Sequence, residues 1–81
     1  MTVRVRLFAS LREVAGVGEA ALELAPGATA EEAFRHLAQS HPHLASRRPS
    51  LAVAINRRYA HFDAVLSDGD ELVFIPPVSG G

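Results

Sequence analysis

From Thr2 to Phe8 apolar and polar positions alternate without a break. Val3, Val5 and Leu7 fall on one face, Thr2, Arg4, Arg6 and Phe8 on the other. Successive side chains of an extended chain point to opposite faces, so this pattern predicts a half-buried strand. "ASLREVAGVG" follows as a short helical turn carrying Leu11, Val14 and Ala15, with Gly16 and Gly18 as stops. "EAALELA" alternates again, with Ala20, Leu22 and Leu24 opposite Glu19, Ala21 and Glu23, and predicts a second strand antiparallel to the first.

Beyond Pro26-Gly27 the period changes from two to about 3.6 residues. Ala30, Ala33, Phe34, Leu37 and Ala38 define one helical face, and Thr29 with Glu32 three positions on predicts a capping box. Pro42 disfavours helix at His41, which puts the helix end near Ser40. "LAVAIN" reads as a third strand, with Leu51, Val53 and Ile55 opposite Ala52 and Ala54. "RRYAHFDAVL" reads as a hairpin return with a short, irregular strand. A turn at Ser67-Asp68-Gly69 then starts a last strand that runs through Ile75. Pro76 and Pro77 have no N–H to give and end the ladder.

One helix covers only one face of a four- or five-stranded sheet, so the prediction is an α+β architecture with one face left open. A β-grasp, ubiquitin-like roll is the simplest arrangement, its first and last strands side by side in the middle. With Leu72 and Phe74 directed to the core, Glu71, Val73 and Ile75 point outward. Phe8, Val73 and Ile75 are then expected together on the open side, near small Ala52 and Ala54. An exposed apolar cluster of that kind suggests a docking surface. Reversed parity of the strands and covering by the irregular stretch after Arg58 are the alternatives.

Composition narrows the function. Eighty-one residues suffice for one modest core and leave little room for a deep enclosed active site. The formal charge of −1 argues against nucleic acid as a partner. With no cysteine there is neither a disulfide framework nor a thiol nucleophile. All eight basic residues are arginine, so no side chain of this chain can accept an isopeptide bond, although an arginine-for-lysine bias of the source accounts for the same fact. The apolar runs are far too short to span a bilayer, and "MTVRVR" is no signal peptide; a cytoplasmic protein is the default expectation.

Side-chain catalysis finds little support. His36, His41 and His43 lie close in sequence without a carboxylate at ligand spacing and read as surface histidines. Asp63, Asp68, Asp70 and Glu71 lack the calcium-loop pattern, and turn chemistry already accounts for Asp68. Ser10, Ser67 and Ser79 have no evident base. The terminus remains. Pro76-Pro77 should project the tail, and Val78 to Gly81, at about 3.3 Å per residue, can reach roughly 13 Å beyond the body. Gly80 and Gly81 let backbone thread a narrow channel and leave the last carbonyl unhindered. A carboxylate there becomes an acyl donor once adenylated. A start at Met1 and a stop at Gly-Gly reads as a native end, against a frayed or clipped one.

"RVRLFASLREVAG", "LAVAINRRYAHFDAVLSDGDELVFIPPVSGG" and the chain length together resemble the small subunit of molybdopterin synthase, the MoaD family. The ending is the most specific part: "DGDE", one strand, "PPV", a small hydroxyl residue and "GG" in register. The resemblance implies a ubiquitin-like sulfur carrier with no cofactor of its own. An ATP-dependent, E1-like activating enzyme would adenylate Gly81, and a sulfurtransferase would supply the sulfur of a thiocarboxylate. The charged tail would enter a large subunit, in a heterotetramer that holds the catalytic side chains, and convert cyclic pyranopterin monophosphate to molybdopterin. The resemblance maps the docking surface onto Phe8, Tyr59 and Ile75, with Arg12 as a polar contact; Val73 joins them by strand parity. Pro76, Pro77, Val78 and Ser79 continue that surface into the tail. Carriers for thiamine thiazole or tRNA thiolation, a protein modifier, and a binding module with an inert tail are the alternatives. No nucleic acid and no membrane is expected as a partner.

Overall fold

The computed structural model describes residues 1–77; the flexible tail expected over residues 78–81 lies outside the described residues. Five strands, β1 (Thr2–Arg6), β2 (Glu19–Glu23), β3 (Ala52–Ile55), β4 (Arg58–Ala60) and β5 (Glu71–Ile75), form one sheet in the order β2-β1-β5-β3-β4. Helices α1 (Ala9–Ala15) and α2 (Ala30–Ser40) follow β1 and β2. β1 runs parallel to β5 at the centre, while the β1–β2, β3–β5 and β3–β4 pairs are antiparallel. This is the β-grasp arrangement that the alternation predicts.

The faces sort as the parity requires. Val3, Val5, Val53, Leu72 and Phe74 are fully buried beneath α2, which contributes Ala30, Ala33, Phe34 and Leu37. Burying Phe34 and Leu37 contributes roughly 2 kcal/mol each before the entropy of ordering them is counted. Phe74 is the centre of the core: Phe34 meets it edge-on at 5.2 Å between ring centroids, and Phe62 stacks on it at 6.0 Å.

Three local features differ from expectation. Pro42–Ser50 is a 3₁₀ segment, where the sequence predicted no element. Leu44 anchors it in the core, so tertiary contact stabilises a stretch that local propensity does not. Gly16 does stop α1, with φ 78° and its N–H donating to the Arg12 carbonyl, but Gly18 is not a stop. A Cβ built on Gly18 would stand 3.2 Å from the Arg12 guanidinium, so this glycine makes room for the arginine instead. At the start of α2 the Thr29 hydroxyl accepts from the Glu32 N–H at 3.3 Å. The Glu32 carboxylate returns to that hydroxyl at 3.4 Å, so the reciprocal half of the capping box is altered.

Candidate docking face and tail exit

The acidic run "DGDE" turns out to set geometry. Asp68 Oδ1 accepts the Thr2 N–H at 2.7 Å, and Gly69, at φ 85°, donates to the Thr2 carbonyl at 2.7 Å. Asp70 accepts from the Ser67 N–H and from Asn56 Nδ2, while Asn56 Oδ1 accepts from the Glu71 N–H. Asn56 and Arg57, both at positive φ, make the two-residue hairpin between β3 and β4, a conformation asparagine tolerates well. These bonds hold the start of β5 against β1 on one side and the hairpin on the other. Among the described residues no three histidine, aspartate or glutamate side chains group closely enough to hold a metal ion.

With β5 so placed, the register fixes what the open face presents. One row runs Glu19, Arg6, Val73, Ala54, Tyr59 across all five strands. Ile75 lies beside Ala52 in the next row, and Phe8 follows Arg6 by two residues as Ile75 follows Val73. Phe8 is 47% exposed and Tyr59 79% exposed, while Val73, Ile75 and Ala52 are half-buried. Ala54 is buried on the uncovered side because its one carbon lies between Val73 and Tyr59. The segment after β4 does not cover this patch. It runs along α2, with the Ala64 and Phe62 carbonyls accepting from the Ala30 and Glu31 N–H groups.

The structure thus gathers Phe8, Tyr59, Val73 and Ile75 on one face, with Ile75 at the end where β5 passes into half-buried Pro76 and exposed Pro77 and Tyr59 in the row of Val73. Arg12 stands one turn beyond Phe8, its N–H directed at the Phe8 carbonyl and its side chain laid over Gly18. Ala9 between them holds φ 48°, a left-handed conformation that is costly for a residue with a Cβ and that turns the chain sharply after Phe8. Val78, Ser79, Gly80 and Gly81 lie outside the described residues. The opposite side carries a cluster that sequence reasoning missed. Arg48 forks onto Glu31 and its guanidinium lies 3.4 Å from the Phe62 ring centroid. These contacts span 17 and 14 residues of sequence, so no local pattern signals them.

The ThiS family profile matches residues 5–81. The molybdopterin synthase sulfur carrier subunit of Chlamydomonas reinhardtii is 41% identical over 83 aligned positions, covering all of both chains. The crystal structure of SAMP1 from Haloferax volcanii superposes with a TM-score of 0.92 at 34% identity, covering all of both chains. A chain from the complex of subunits 1 and 2 of the molybdopterin-converting factor of Helicobacter pylori superposes with a TM-score of 0.69 at 26% identity, again over both full lengths. Matched by its profile from the first strand onward and by a relative along its entire length, the chain belongs to the ThiS family, alongside the molybdopterin synthase sulfur carrier subunits.

Proposed function

We propose that this protein is the sulfur carrier of a molybdopterin synthase. The observation that carries the reading is the full-length match to a molybdopterin synthase sulfur carrier subunit at 41% identity. The apolar patch at the point where β5 leaves the sheet supports it, because a partner seated there would receive the tail directly. The chemistry follows from the terminus. The Gly81 carboxylate attacks ATP in an activating enzyme, giving an acyl-adenylate and pyrophosphate. The terminal sulfur of a sulfurtransferase persulfide displaces AMP, and a thiol then cleaves the S–S bond of the resulting acyl disulfide, leaving a thiocarboxylate and a disulfide. In the large subunit the sulfur passes to cyclic pyranopterin monophosphate, and water restores the carboxylate. This chain supplies reach and docking, and its partners supply the catalytic side chains and the ATP site. No helix among the described residues is long and apolar enough to cross a membrane.

A second reading rests on the superposition with SAMP1, a small archaeal modifier protein: activated Gly81 would then be joined to lysines of other proteins. Intact-mass measurement after incubation with the activating enzyme, ATP and a sulfur source separates the two. The carrier reading expects the gain of one sulfur in exchange for one oxygen. Conjugates to other proteins would favour the modifier, and an unchanged mass would exclude both.

A further inference from the structure

Arg6 is a cation on the open face, two residues before Phe8. Its strand neighbours across the sheet are Glu19 on one side and Val73 on the other. Glu19 does not serve it: the Glu19 carboxylate is bound to Arg4, with Oε1 3.0 Å from Nε. Arg6 makes no ion pair among the described residues, and its guanidinium carbon rests 5.5 Å from the centre of the Phe8 ring. It is exposed to solvent. A partner that covers Phe8 and Val73 must also cover Arg6, which lies against both. A guanidinium taken out of water without a counter-charge is strongly unfavourable, whereas one given a carboxylate in fork geometry is not.

We propose that Arg6 is a specificity-determining residue of the docking face, and that the protein seated on that face presents a carboxylate opposite it, beside the apolar pocket that receives Phe8. The inference rests on the carrier reading in one respect, the identity of that protein as the large subunit. Phe8 supplies the buried area, and Arg6 selects among proteins that could offer a merely apolar pocket. The cation over the ring holds both side chains together before docking, so less freedom is lost on binding.

Binding of the purified large subunit to wild-type protein and to Arg6→Gln, Arg6→Lys and Glu19→Gln, at low and high salt, tests this. Thermal melts check that each variant is folded, so that a loss of fold is not confused with a loss of binding. Arg6→Gln is expected to weaken binding by roughly tenfold or more and to flatten its salt dependence, since a partner carboxylate is left buried without a counter-charge. Arg6→Lys, which keeps the charge but not the planar fork, is expected to recover only part of the affinity, and Glu19→Gln to leave it as in wild type. Equal affinity of Arg6→Gln and wild type would overturn the assignment while leaving the carrier reading intact. Weakening by Glu19→Gln as large as that by Arg6→Gln would also overturn it, because Glu19 would then be the counter-charge in the complex. Failure of the wild-type protein to bind the large subunit would overturn both.

Discussion

Arg48 shows how single residues hold this small fold together. Its Nε donates to both Glu31 oxygens at 3.0 Å and its Nη2 to Oε1 at 2.6 Å, and the planar group lies on Phe62, which in turn stacks on Phe74. The hydrogen bonds from Arg48 hold the Glu31 carboxyl below its ordinary value, against the opposing effect of burial, with smaller help from the Arg48 and Arg35 charges. A carboxyl whose pKa is lowered on folding contributes stability that is complete above its unfolded pKa and is lost as pH falls through the folded one. Glu31→Gln should therefore be less stable than wild type at neutral pH, and the gap should close in strong acid. With both side chains about 30% exposed, a gap on the order of 1 kcal/mol is expected in urea melts. A gap that persists unchanged in strong acid would contradict this account. None of these contacts was legible in the sequence, because each joins residues far apart along the chain. Phe8 and Val73 were legible, because strict alternation in β1 and β5 assigns every side chain to a face.

At the scale of elements, legibility follows the strength of the local signal. β1 and α2 carry an uninterrupted period, and each appears where the pattern places it. β3 is weaker, since alanines at 52 and 54 give little contrast between its faces; the register against β4 and β5 resolves them. The 3₁₀ segment Pro42–Ser50 has two prolines and mostly polar residues, so nothing local announces it. It forms because Leu44, 1% exposed, and Arg48 each find partners on other elements. Leu44→Ala should lower stability by about 3 kcal/mol, the usual cost of an unfilled leucine site. Amide exchange should show the 42–50 segment opening before the sheet does. A loss of only a few tenths of a kcal/mol would mean that the segment is an accessory to the core.

The whole molecule divides its two surfaces by task. Under α2 lies the core, with Phe74 at its centre. The other face keeps Phe8 and Tyr59 exposed on either side of the Val73–Ile75 stretch of β5, an expense of apolar area that burial in a complex would recover. Fold and face were readable from periodicity alone, while the role of the terminus rested on a resemblance that full-length relatives now bear out at the level of family. Parity could not show that Arg6 lacks a counter-charge, because that depends on which arginine Glu19 binds. The central claim is sulfur delivery from Gly81. The most direct test is a single turnover of thiocarboxylated protein with the large subunit and cyclic pyranopterin monophosphate, following the intact mass of the carrier. The account predicts that the carrier returns to its uncharged mass as sulfur appears in the pterin, with two carriers consumed for each molybdopterin formed. A charged carrier that keeps its sulfur in the presence of both, or that ends joined to a lysine of another protein, would contradict it.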